Sequence, residues 1–185
     1  MSGGRARLFV ALDLPEAVRS TLFGWTREQV GEMAHLRVVE PASLHVTLCF
    51  LGARPVEEVD RISAACAGVC KLPAAGLTLG AALWLPPRRP RVLTVALADE
   101  RGRLAAVQAA LAHALQDGGF YAPEKRPFLA HVTVARVQRQ GRPRRGELPA
   151  PAPLQFTGGT VTLYESRMGA GPARYEALAS VSLQG

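Results

Sequence analysis

No apolar run in this sequence is long enough to form a signal core or to cross a membrane, so the chain reads as neither exported nor membrane-bound. Cysteine is scarce: Cys49, Cys66 and Cys70 are an odd number with no CxxC spacing. In a chain of 185 residues this argues against a disulfide framework and for a reducing compartment, the cytoplasm. The HExxH pattern of zinc-dependent hydrolases is also missing. Acidic residues are few, with 15 Asp and Glu against 22 Lys and Arg. The resulting net charge of +7 gives a positive average field that draws phosphate-bearing partners.

A composition of 48% hydrophobic and 20% charged residues belongs to a soluble globular chain with enough apolar surface to build a core. The positive charge is clustered. Arg136, Arg139, Arg142, Arg144 and Arg145 fall within ten positions, and Arg88, Arg89 and Arg91 form a second group. Either group serves equally well as a solubilising loop or as a phosphate-seeking surface when charge alone is considered.

Local patterning predicts an α+β order. Residues 7–12 form an apolar strand, and Pro15 suits the first turn of a helix reaching towards Val30. A short strand over 36–39 and a turn at Pro41-Ala42-Ser43 precede a clear strand from Leu44 to Leu51, ended by Gly52. Pro55, Glu57 and Glu58 open a second helix that ends near Lys71-Leu72-Pro73. Strands over 76–83 and 91–98 follow. Leu104, Val107, Leu111 and Leu115 have helical spacing, with Gly118-Gly119 as the stop. A strand over 129–137, an exposed Pro-, Gly- and Arg-rich loop over 139–153, and a closing hairpin over 160–167 and 174–182 complete the chain, with Gly169-Ala170-Gly171-Pro172 at the turn.

One short pattern occurs twice, as His45-Val46-Thr47-Leu48 and as His131-Val132-Thr133-Val134. Both copies lie on predicted strands. Alternation places His45 with Thr47, and His131 with Thr133, on one face each, while the intervening Val46, Leu48, Val132 and Val134 point the other way. With four histidines and nine threonines in the chain, about 0.2 His-x-Thr triplets are expected, and two arise by chance at roughly the one per cent level. A lone strand histidine is more often a satisfied core residue, but duplication reverses that preference. His35 and His113 have no threonine two residues on and take no functional role.

Two imidazoles suit phosphodiester cleavage, which needs one group to take a proton from the attacking oxygen and another to protonate the leaving oxygen. A reference pKa of about 6.5 allows one ring to be neutral and the other charged near neutral pH, and each transfer contributes roughly 10²–10⁴-fold. The hydroxyls of Thr47 and Thr133 are suited to hold non-bridging phosphate oxygens. Neither motif strand contains Asp or Glu, so a zinc site built on the two histidines lacks half its ligands. The expectation is therefore no metal and no cofactor. By the same alternation Phe50 shares the face of Val46 and Leu48 and reads as core, and Tyr164 and Tyr175 read as packing residues of the closing strands.

These residues resemble the two-histidine phosphoesterases, and within them the RNA 2′,3′-cyclic phosphodiesterases, also called 2′-5′ RNA ligases. The resemblance runs through Arg7-Leu8-Phe9-Val10-Ala11-Leu12-Asp13-Leu14-Pro15, the first motif extended to Phe50-Leu51-Gly52, Arg89-Pro90-Arg91-Val92-Leu93, the second motif extended to Ala135-Arg136, and Leu163-Tyr164-Glu165-Ser166. It covers nearly the whole chain.

The resemblance implies a single domain over residues 1–185, α+β and bilobal, with two facing, mainly antiparallel β-sheets around a central cleft and helices packed outside. It implies His45 as general acid, His131 as general base, a 2′-phosphomonoester product, and Thr47, Thr133 and Arg136 on the phosphate. Arg136 stands five residues past His131, so it joins that face only through a bulge or a strand-end bend. Ala130 and Thr94 depart from the family's frequent proline and tryptophan, which bears on substrate preference. Partners are RNA or nucleotides with 2′,3′-cyclic phosphate ends, met by a cytoplasmic monomer. Ligation of RNA halves, or non-catalytic RNA binding, are the alternative functions.

Overall fold

The computed structural model describes residues 4–138, 146–167 and 173–185. Arg139, Arg142, Arg144 and Arg145, and the connection from Gly169 to Pro172, lie outside the described residues. Strand β1 (Arg5–Asp13) leads into helix α1 (Glu16–Val30), strand β2 (Leu36–Val38) and strand β3 (His45–Pro55); helix α2 (Val59–Ala67), strands β4 (Ala75–Leu85) and β5 (Val92–Ala98), and helix α3 (Arg103–Asp117) follow, then strands β6 (His131–Val137), β7 (Gln155–Gly158), β8 (Thr160–Arg167) and β9 (Arg174–Ser182). The predicted second helix is a composite: 3₁₀ turns over Val56–Glu58 and Gly68–Lys71 flank the α-helical part. β7 was not expected.

The strands form two sheets, ordered β3-β1-β8-β9 and β2-β6-β5-β4-β7, with antiparallel pairing throughout. They face each other across a cleft in which β3 of the first approaches β6 of the second. The α+β, two-sheet architecture is thus the one the motifs imply. α1 buries Val18, Leu22, Thr26 and Val30, one side chain per turn, and packs against β2 and β6. α3 buries Leu104, Val107, Leu111 and Leu115 and packs against α2, β3 and β4. These stripes join Leu8, Val10 and Leu12 of β1 in one continuous core. Each fully buried leucine contributes about 2 kcal/mol of burial, which anchors the strands that carry the motifs.

Two bulges decide which residues reach the cleft. On β6, Thr133 pairs with Thr94 and Ala135 with Leu93, so Val134 is an extra residue without a partner. Val134 and Ala135 are consecutively buried, and Arg136 emerges exposed. The inserted residue shifts the alternation by one, which returns Arg136 to the face of His131 and Thr133. On β3, Ala11 pairs with Thr47 and Val10 with Cys49, leaving Leu48 unpartnered in the same way.

The β3 bulge overturns the assignment of Phe50 to the core. Its side chain is 46% exposed, because the extra Leu48 turns it onto the His45 and Thr47 face. A second irregularity follows at Leu51, next to Gly52, whose φ of 72° is a left-handed conformation that glycine adopts without a Cβ penalty.

Candidate active site

His45 is the first residue of β3 and His131 the first of β6. In each case the turn before the strand presents a backbone carbonyl to the ring. His45 Nδ1–H donates to Ser43 O at 2.8 Å, and His131 Nδ1–H donates to Leu129 O at 2.7 Å. A carbonyl oxygen can only accept, so the neutral rings carry their proton on Nδ1 and present a basic Nε2. The same two-residue offset sets both tautomers. Thr47 Oγ1 lies 3.1 Å from His45 Nε2, so the hydroxyl and the imidazole converge on one point.

Sequence-distant aromatics surround His45. Phe9 lies with its ring centroid 4.9 Å away and Tyr175 meets it edge-on at 5.3 Å. Burial lowers the His45 pKa to about 4; the hydrogen bond to Ser43 opposes the shift, the charge of Arg136 adds to it, Asp13 opposes it, and His131 adds to it. Unliganded, His45 is therefore neutral at neutral pH. Asp13, opposite His45 in the β1–β3 register, is itself held from both oxygens: Tyr164 Oη donates to Oδ1 at 2.8 Å and Thr162 Oγ1 to Oδ2 at 2.7 Å. Burial, and then the bond to Asp13, push the Tyr164 hydroxyl up to about 12. Tyr164 thus packs and positions, as expected, while Tyr175 also lines the cleft.

The cleft holds two adjoining cavities. One, of about 690 Å³, is lined by His45, Thr47, Arg136, Arg7, Arg37 and Tyr175, among others. The second, of about 830 Å³, is lined by His131, Tyr121, Phe128, Arg91 and Arg126, among others. Thr47 and Phe50 wall both cavities. The structure thus brings His45, Thr47 and Arg136 together and sets His131 on the far side of the shared wall. Thr133 is half-buried on the face of His131 but lines neither cavity. Thr94, opposite Thr133, is fully buried and donates to Leu83 O at 3.1 Å. His113 is exposed and pairs with Asp117 at 3.4 Å, away from the cleft.

Sequence reasoning gave no role to Phe9, Asp13, Arg7 or Arg37. All but Arg37 lie in or beside the β1 segment that carries the family resemblance, which was the available signal. Among the described residues, no three His, Cys, Asp or Glu side chains converge as a metal-ligand set, and no helix is long and apolar enough to cross a membrane.

Two strand-initial histidines, each bonded through Nδ1 to a carbonyl two residues back and followed by a threonine two residues on, stand on two antiparallel sheets and line adjoining cavities, the arrangement expected of a two-histidine site. Residues 27–170 match the model of the 2′-5′ RNA ligase superfamily, and the chain belongs to that family. It is 31% identical over 175 residues to an RNA 2′,3′-cyclic phosphodiesterase of Escherichia coli, spanning 93% of each chain. To the protein of that name from Archaeoglobus fulgidus it is 32% identical over 134 residues, 72% of this chain and 74% of the relative. The solved structure of E. coli LigT complexed with 3′-AMP superposes with a TM-score of 0.82 at 27% identity, covering 98% of this chain and all of that one (100%).

Proposed function

We propose that the chain hydrolyses 2′,3′-cyclic phosphate ends of RNA or nucleotides to 2′-phosphomonoesters, using His45 and His131 as an acid–base pair without a metal. The observation that carries this reading is the pair of Nδ1–H bonds to Ser43 and Leu129, which leave Nε2 as the basic nitrogen of both neutral rings, that of His45 beside the Thr47 hydroxyl. The names of the curated relatives support it.

In this mechanism His131 takes the proton of a water molecule as its oxygen attacks phosphorus. The bond from phosphorus to the ribose 3′ oxygen breaks, and His45 gives that oxygen its proton. Thr47, Thr133 and Arg136 hold the non-bridging oxygens, whose charge grows in the transition state. A bound phosphate beside His45 offsets the field of Arg136 and favours the protonated ring, working against the burial that is the main cause of its low pKa. The neutral resting state of His45 favours a second order, with the two roles exchanged.

A cyclic phosphorothiolate with sulfur at the 3′ bridging position separates the two orders, because a thiolate leaves without a proton. His45→Ala recovers on this substrate if His45 is the acid, and His131→Ala recovers if the roles are exchanged. The basic test is incubation with a 2′,3′-cyclic nucleotide in excess chelator; the expected product is the 2′-phosphomonoester, and product only with added metal overturns the reading.

Ligation is the same ring opening with an RNA 5′-hydroxyl in place of water as the nucleophile: the bond from phosphorus to the 3′ oxygen breaks and a 2′-5′ diester forms. The cavity beside His131, lined by Tyr121 and Phe128, supports it by offering room for a second nucleoside. Comparing rates on RNA halves and on a cyclic nucleotide distinguishes the two acceptors. A non-catalytic RNA-binding module, by contrast, retains all its function in His45→Ala. The reading carries with it a single domain over residues 1–185, working as a cytoplasmic monomer with no cofactor.

A further inference from the structure

The cavity around His45 holds more positive charge than a cyclic phosphate needs. A 2′,3′-cyclic phosphate is a monoanion, and Arg136 beside the His45–Thr47 pair matches its single charge. Arg37 and Arg7 line the same cavity, and no carboxylate lies among its lining residues. Among the described residues, none of these three arginines forms an ion pair with Asp or Glu.

Their placement is costly without a ligand. Arg37 on β2 is the direct cross-strand partner of Arg136 on β6, and both are exposed. Directly opposed residues of an antiparallel pair share a face within about 5.5 Å between Cα atoms, and like charges there repel. β2 is only three residues long, and Leu36 and Val38 already supply its apolar face. Arg37 is therefore not needed to anchor it.

Across the cavity, the Arg7 guanidinium lies 4.7 Å from the centre of the Phe50 ring. A guanidinium stacked by its face keeps its in-plane N–H donors free to bind an anion. The bulge at Leu48 that exposes Phe50 therefore also fixes Arg7.

We propose that Arg37 and Arg7 form a second phosphate subsite, beside the one that Arg136 serves, so that the substrate carries a further phosphate next to the nucleoside that bears the cyclic end. The inference rests on the proposed cyclic phosphodiesterase reading. The second phosphate is either the internucleotide diester of an RNA chain or a 5′-monoester on a single nucleotide.

The test compares kcat/KM for 2′,3′-cyclic AMP, for its 5′-phosphorylated form, and for the dinucleotide ApA ending in a 2′,3′-cyclic phosphate. The expected result is a preference of about tenfold to a hundredfold for substrates with the second phosphate, in the range of a charge-assisted contact. Preference for the dinucleotide alone identifies the chain diester as the source, and preference for both identifies any phosphate at that position.

Arg37→Ala and Arg7→Ala bring the ratio of two-phosphate to one-phosphate substrate close to one, whereas Arg136→Ala lowers all three rates and keeps the ratio. Equal rates for the three substrates in the wild type overturn the subsite, as does an unchanged ratio in Arg37→Ala. If no substrate is hydrolysed, the phosphodiesterase reading fails, and the subsite is then judged by calorimetry. Tighter binding of adenosine 2′,5′-bisphosphate than of 2′-AMP, lost in Arg37→Ala, supports it; equal binding overturns it.

Discussion

The imidazole of His45 rests against the ring of Phe9, with centroids 4.9 Å apart and planes inclined by 32°. Together with Tyr175 on its edge, that ring keeps water from the histidine, and exclusion of water is the main cause of a pKa of about 4. Phe9→Leu shortens the screen and admits water. The His45 pKa then rises from about 4 towards the ordinary value of about 6.5, as read by an NMR titration of the imidazole. An unchanged titration in the variant refutes this account of the shift.

The same shift makes stability depend on pH. The folded protein resists protonating His45, while the unfolded chain takes up the proton at about 6.5. The contribution is complete above about pH 6.5 and is lost as the pH falls towards about 4; below that both states are protonated and this group changes nothing further. The loss is on the order of 1–3 kcal/mol. Urea unfolding at pH 7 and near pH 4.5 measures it, and the wild type should lose more between the two than His45→Ala does, because carboxylates contribute equally to both.

Arg136 acts on His45, since its charge helps to lower the histidine's pKa, and in the proposed mechanism it also holds phosphate. Arg136→Ala is expected to raise that pKa while reducing kcat by about a hundredfold, the scale of one lost transition-state donor. Arg136→Lys restores the charge but not the forked donor pair, so it returns the pKa more fully than the rate. A variant that alters kcat without moving the His45 titration would show that the two residues do not share a field.

Gly52 tests the backbone that follows the β3 bulge. A Cβ at this position meets nothing closer than Phe50 Cε1 at 4.0 Å, so space is not limiting, but the φ of 72° is strained for alanine. Gly52→Ala costs about 1–2 kcal/mol, which lowers Tm by roughly 2–8 °C in a chain of this size. Calorimetry checks it, and an unchanged Tm would mean that the strand relaxes freely at this point.

Much of the architecture was legible locally. The helical spacing of Leu104, Val107, Leu111 and Leu115 matches the buried stripe of α3, and the two His-x-Thr patterns do begin strands. What escaped was non-local. Tyr164 reaches Asp13 across 151 positions, and the opposition of Arg37 to Arg136 depends on which strand β2 joins, about which three residues carry no signal. Phe50 was misplaced for a related reason: strict alternation holds only while every residue has a partner.

The sequence by itself determined the repeated His-x-Thr pairs, the strands they begin and the order of elements along the chain, because side-chain chemistry and strand or helix periodicity are properties of neighbouring residues. Tertiary structure alone decided which side chains share the cleft. Leu48 and Val134 become extra residues only when β3 pairs with β1 and β6 with β5, and each insertion turns the residue two places on, Phe50 or Arg136, to face the histidines. A bulge belongs to the register between two strands, so neither strand's sequence specifies it alone.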